Sequence, residues 1–236
     1  MKRLGFVVSL AVATMTYAAM VFAAVEGGGV TADEALSRLL EGNKRFVESK
    51  MNACGETTAA AREKLAKGQK PYAIILSCSD SRVPPEIIFD KSLGEIFVIR
   101  VAGNVPDPVV LGSIEYAAEH LGSPLIMVLG HERCGAVTAA VESKGKPEGN
   151  IGAIVRAIAP AVKKAKQGCK ECTSCDMKEK KAKLIECAID ENVKLVAKNL
   201  TRQSPVIGHL VKEGKVKIVA AKYDLDDGKV SLMETK

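Results

Sequence analysis

Four short apolar runs, at residues 72–77, 96–101, 124–130 and 215–221, constrain this chain more than any other feature. Each is continuous rather than alternating, so they predict strands mostly buried on both faces. Between and after them lie stretches with helical character, at 109–121, 135–142, 151–166, 187–200 and 205–213. Strands alternating with helices imply βαβ units, and hence an α/β fold on a mostly parallel β-sheet flanked by helices. Upstream, Thr31-Ala32-Asp33-Glu34 has the form of a capping box. Leu36, Leu39, Leu40, Phe46 and Val47 follow at helical spacing, which predicts a helix over 32–48. A shorter helix is predicted over 58–67, ended by Gly68.

The ends and the middle of the chain differ in character. Met1-Lys2-Arg3 is a basic start, and an apolar stretch follows to Ala24. Small residues around Val21-Phe22-Ala23 predict a signal peptide over 1–23, with export, in a bacterium to the periplasm. The alternative is an uncleaved membrane anchor, for which ~20 apolar residues suffice. Residues 24–236 then form one domain, with 144–181 read as a Lys- and Cys-rich insertion or long connection. The net charge of +6 is concentrated in 163–183 and the C-terminal lysines. No aromatic residues interleave with those lysines, so a solvated helical face is expected and no nucleic-acid partner. No stable membrane partner is expected either, unless the N-terminal segment stays uncleaved.

Two stretches carry the chemistry: "CSDSR" at 78–82 and "GHERCGA" at 130–136, each directly after a predicted strand. Open parallel sheets bind ligands at the carboxyl ends of their strands. A lone cysteine at such a position is ordinarily an inert core residue. Cys78 together with His131 and Cys134 makes the three-ligand set of a catalytic zinc site with an open fourth position. Cys134 enters a predicted helix, whose N-terminus favours a thiolate. Two thiolates leave zinc formally neutral, and a carboxylate as near as Asp80 could close the fourth position. Arg82 can hold Asp80 away by a bidentate pair, so that Asp80 accepts a hydrogen bond from the zinc-bound hydroxide instead.

These motifs resemble those of the β-class carbonic anhydrases. "CSDSRVPPE", "VIRVAGN", "IEYA" and "GHERCGAV" occur in the family's order and spacing across about residues 69–141. The resemblance implies Cys78, His131 and Cys134 as ligands of one Zn2+ per chain, with Asp80 and Arg82 as the catalytic pair. It implies substrate-binding roles for Gln69, for Phe97 and Tyr116 in lining the carbon dioxide pocket, and for Gly135 through its backbone N–H. Ala102 stands where a larger valine is common. The reaction implied is reversible hydration of carbon dioxide to bicarbonate and a proton by zinc-bound hydroxide. Hydrolysis of carbonyl sulfide or carbon disulfide on the same site is the alternative, and a non-catalytic zinc protein the reading from a different class. No proton shuttle is identified, and His120 and His209 read as helix-surface residues.

The expected fold has a late edge strand at 215–221 and projecting N-terminal helices. Family members are dimers or higher multiples with the pocket near the interface, so a homodimer or larger assembly is expected, with Leu36, Leu39, Leu40 and Phe46 as contact residues. Some members are shut off by bicarbonate through a Trp and an Arg. Here Arg100 is present but Ile75 stands in the Trp position. Arg100 is therefore read as a structural or backbone-binding residue, and no cooperative shut-off is expected. Cys54, Cys169, Cys172, Cys175 and Cys187 lie outside the motifs, and a disulfide among them is the first expectation, ahead of free thiols or a second metal.

Overall fold

The computed structural model describes residues 29–52, 57–145, 147, 149–169 and 176–235. The expected export signal over 1–23 and Cys54, Cys172 and Cys175 lie outside these residues. The elements run α1 (Ala32–Val47), α2 (Ala59–Leu65), β1 (Ala73–Ser77), α3 (Pro85–Ile88), β2 (Ile96–Arg100), α4 (Pro108–Glu115) and β3 (Leu125–His131). Then follow α5 (Gly135–Glu142), α6 (Ile151–Gly168), α7 (Met177–Gln203), α8 (Pro205–Lys212), β4 (Lys217–Tyr223) and β5 (Val230–Met233).

The sheet order is β2-β1-β3-β4-β5, with the first four strands parallel and β5 antiparallel to β4. Every residue of β1 and β3 is buried, as their continuous apolar runs require. Successive side chains point to opposite faces and feed two cores. Ile75 and Met127 join α1, α3, α5 and α6 on one face. Ile74, Leu76, Ile126 and Val128 join α4, α8 and most of α7 on the other. Among the described residues no helix is long and apolar enough to cross a membrane.

Three expectations need correction. The strand at 215–221 is not at the edge, because β4 lies between β3 and β5. The late edge strand is β5, which returns from a turn at Asp224–Gly228 where Gly228 adopts φ +76°. Its four residues carry too little apolar pattern to announce a strand. The helix at 187–200 begins ten residues earlier, at Met177. There Asp176 and Glu179 form a reciprocal capping box. Residues 176–183 are all exposed, so no apolar stripe marked those turns. Much of 144–181 is accordingly helical, in α6 and the start of α7. A disulfide joins Cys169 to Cys187 across this hairpin.

The third correction concerns the N-terminus. α2 has no buried residue, but α1 is applied to the body rather than projecting from it: Ala35, Leu39, Gly42 and Asn43 are buried. Its cap is half of the expected box. Thr31 accepts from the Glu34 N–H, while the Glu34 carboxylate pairs with Arg38 instead of reaching back. Asn43 pins the helix. Its amide donates to Ile88 O and Gly228 O, and its Oδ1 accepts from Val230 N–H at 2.8 Å. One side chain thus joins α1, α3 and the β4–β5 hairpin. Asn43→Ala leaves those buried groups unpaired and is expected to lower unfolding stability by about 2 kcal/mol in urea titration. An unchanged midpoint would show that water replaces the amide at no cost.

Candidate metal centre

β2 lies on one side of β1 and β3 on the other, so the winding of the sheet reverses between β1 and β3. The crevice at the carboxyl ends of such strands is where an open α/β sheet receives ligands. Ser77 pairs with Leu129, so Cys78, the next residue, comes level with Gly130 and close to His131. His131 ends β3, and Cys134 is the N-cap of α5. A Cβ on Gly130 would stand 2.2 Å from Val193 Cγ2, so glycine is what lets α7 press against the strand here.

The ligand atoms of Cys78, His131 and Cys134 all lie within 4.8 Å of one another, and all three residues are buried. The two sulfurs are 4.0 Å apart. Two sulfurs on a tetrahedral zinc at about 2.3 Å stand roughly 3.8 Å apart, so the pair needs almost no adjustment to hold the ion. A carbonyl can only accept, so His131 Nδ1–H donates to Glu132 O at 2.8 Å. That fixes the tautomer with the lone pair on Nε2, a buried atom with no hydrogen-bond partner. A metal ion satisfies such an atom.

The sulfurs share their protons unequally. The Cys78 thiol is lowered to about 4, chiefly by a hydrogen bond from Cys134, with help from the Gly103 N–H at 3.3 Å. The proton left on Cys134 is held up by its bond to Cys78, by burial and by the neighbouring negative charge. An ion that took both sulfurs would displace it.

Asp80 stands beside this group, with Oδ2 3.9 Å from His131 Nε2. Arg82 holds it by a fork, Nε to Oδ1 at 3.0 Å and Nη2 to Oδ2 at 2.8 Å, with its backbone N–H adding a bond to Oδ1. The Arg82 hydrogen bonds keep the Asp80 carboxyl well below the usual carboxylate range. Arg100, the last residue of β2, donates to Cys78 O at 3.0 Å and to Asp80 O at 2.6 Å. It is a backbone-binding residue in this fold.

The remaining predicted residues are spread along the sheet. Ala102 opens the turn Ala102–Asn104 after β2, next to Gly103. Gly135 begins α5, exposed, with open space where a side chain would stand. Gln69 is exposed in the loop before β1, at the opposite end of the strand from Cys78, roughly 17 Å away along extended chain. Phe97 pairs with Ile74 near that same end, and its ring lies 6.3 Å from that of Tyr116. The fold therefore does not gather these three around the chain's own cysteines. His120 and His209 are at the surface, as expected.

Two further residues, beyond those expected from the sequence, contribute to the site. Gly103, at φ +72°, turns the chain so that its N–H meets Cys78 Sγ. Asn192, buried on α7, donates to Gly103 O at 2.9 Å. A polar residue within the buried apolar stripe of Ile189, Val193, Val196 and Leu200 was the signal available for it.

Fold and site together define an open α/β protein with a two-cysteine, one-histidine cluster able to hold a metal ion at its switch point. Residues 73–230 match the family described as carbonic anhydrase. Carbonic anhydrase 2 of Mycobacterium tuberculosis is 39% identical over 199 residues, covering 83% of this chain and 90% of that protein. A carbonic anhydrase of Pseudomonas aeruginosa is 31% identical over 72% of this chain and 76% of its own. Among solved structures, a Coccomyxa β-carbonic anhydrase in complex with acetazolamide superposes with TM-score 0.67 at 25% identity, over 84% of this chain and 86% of that one. One of two tetrameric β-carbonic anhydrases of Sordaria macrospora gives 0.65 at 25%, over 84% and 96%. The chain belongs to the carbonic anhydrase family, in its β class, a family of carbonate dehydratases.

Proposed function

We propose that this protein reversibly hydrates carbon dioxide to bicarbonate and a proton, using one zinc ion per chain held by Cys78, His131 and Cys134. The observation that carries this reading is the convergence of those three ligand atoms beside a carboxylate already claimed by an arginine. Zinc there supplies Lewis acidity that makes water lose a proton near neutral pH, the property for which carbonic anhydrases are the standard example. The chain's own groups do the rest.

His131 is oriented by Glu132 O, and Gly103 N–H offsets charge on Cys78. Asp80, kept anionic by Arg82, accepts the hydrogen bond of the attacking oxygen and aims its lone pair at the substrate carbon. The Arg82 fork would also keep the carboxylate from becoming a ligand to an ion held there. Arg100 fixes the two carbonyls on either side of Ser79, so the ligand and the acceptor keep their spacing. With Ile75 where the switch uses a Trp, Arg100 would have to hold an anion alone while already bonding two carbonyls, which supports the absence of a bicarbonate switch.

Gln69, Phe97 and Tyr116 take part, on this reading, in the pocket of a second copy. Their distance from their own chain's cysteines and the half-buried apolar edge strand β2 support it. Export directed by residues 1–23 is likewise our proposal, and the Cys169–Cys187 disulfide suits an oxidising compartment.

Two experiments test these readings. Wild-type protein is expected to contain about one zinc per chain and to hydrate carbon dioxide. Cys134→Ser is expected to lose metal and activity together, and Asp80→Asn to keep zinc with rates lowered on the order of 10²-fold. Full activity in metal-free protein would overturn the assignment. Coexpressing Gln69→Ala and Cys134→Ser chains is expected to recover about a quarter of wild-type activity, since a two-fold mixed dimer has one intact site. Activity no higher than the variants give separately would return Gln69 to its own chain.

A further inference from the structure

Two residues, Glu132 and Arg133, separate the histidine at the end of β3 from the cysteine that caps α5. To reverse direction in so short a span, the chain puts Arg133 at φ +50°. That left-handed conformation suits glycine and costs an arginine energy. Three contacts hold it. The Arg133 backbone N–H donates to Glu186 Oε1 of α7 at 2.9 Å. Its guanidinium makes two bonds to Asp226 in the β4–β5 turn, at 2.9 and 3.0 Å. Its carbonyl accepts from Arg82 Nη2 at 3.4 Å. The other oxygen of Glu186 accepts from Lys222 Nζ at 2.8 Å, so Glu186 is itself held in place from β4.

We infer that Glu186 is a positioning residue for the metal centre: by accepting the Arg133 N–H it fixes the turn that sets His131 against Cys134. Through the Arg133 carbonyl the same contact reaches Arg82 and the orientation of Asp80. A neighbouring side chain would have been enough to satisfy one N–H. Here a carboxylate from a different helix, a second carboxylate from a hairpin and the guanidinium that holds Asp80 all converge on one strained residue. Glycine at 133 would relieve the strain but remove the anchor to Asp226. The choice of arginine is explained if anchoring the turn matters more than relaxing it. Cys187, next in sequence to Glu186, is tied to Cys169, which braces α7 where the contact is made. The nearby carboxylates of Glu132, Asp224 and Asp226 are not a second ion site on this account: Asp226 is taken by Arg133, and Asp224 caps its own turn.

The inference rests on the zinc reading, and the test separates the two. Zinc-loaded full-length protein is mixed with excess chromogenic chelator, and the rate of zinc release is followed together with kcat and KM for hydration. Glu186→Ala is expected to release zinc on the order of 10- to 100-fold faster, the usual scale for losing a partner that orients a ligand. Its kcat should fall more than its KM rises, and the metal-free protein should melt close to the metal-free wild type. Glu186→Gln, whose amide oxygen still accepts the N–H, should release within about 3-fold of wild type. Release from Glu186→Ala at the wild-type rate overturns the inference, and so does Glu186→Gln failing as badly as Glu186→Ala. Should Glu186→Ala not fold, Glu186→Asp serves instead, since it keeps the charge while its shorter side chain draws back from the Arg133 N–H: faster release supports the positioning role, and release at the wild-type rate refutes it. A wild type that binds no zinc sinks the metal reading and this inference with it.

Discussion

The register between β1 and β3 is the constraint on which the site depends. Both strands are buried on both faces, so their pairing is locked by packing from two sides. Because Ser77 meets Leu129, the two ligand-bearing ends emerge level with each other. A slip of one residue would turn Cys78 toward the opposite core and leave His131 and Cys134 without their third ligand. The metal centre is therefore a product of hydrophobic packing several residues away, and Gly130 shows how tightly that packing is drawn.

Arginine does a different job at each of three positions around this register. Arg82 binds a carboxylate, Arg100 binds two carbonyls, and Arg133 binds a carboxylate while holding a strained backbone. Planar, multiply donating and always charged, the guanidinium suits such stapling better than lysine. The result is a crevice in which the arginines are engaged while the Nε2 of His131 stays a buried polar atom without a hydrogen-bond partner.

Much of this was legible in the residues. The buried strands announced themselves as apolar runs, and the ligands as a cysteine and a His-x-x-Cys at strand ends. The remaining elements leave little trace in the sequence for physical reasons. β5 is short and half exposed, and its only strong signal was the Asp227-Gly228 turn before it. The start of α7 is polar all round, so its capping box was the sole mark. Asn43, Asn192 and Glu186 act across 45 to 187 positions of sequence, and no local pattern reports on a partner so remote. The placement of Gln69 at the far end of β1 required knowing which end of a strand each motif occupies in space.

The separation of the two ligand sulfurs also bears on the order in which the protein is assembled. Two thiols 4.0 Å apart, one of them inclined to be a thiolate, are poised for oxidation to one another. An ion that occupies both sulfurs shields them from that fate. Were the chain exported as proposed, the oxidising chemistry that joins Cys169 to Cys187 would also threaten the ligands. Zinc would then be a protecting group as well as a catalyst, and its arrival would have to come before that of the oxidant.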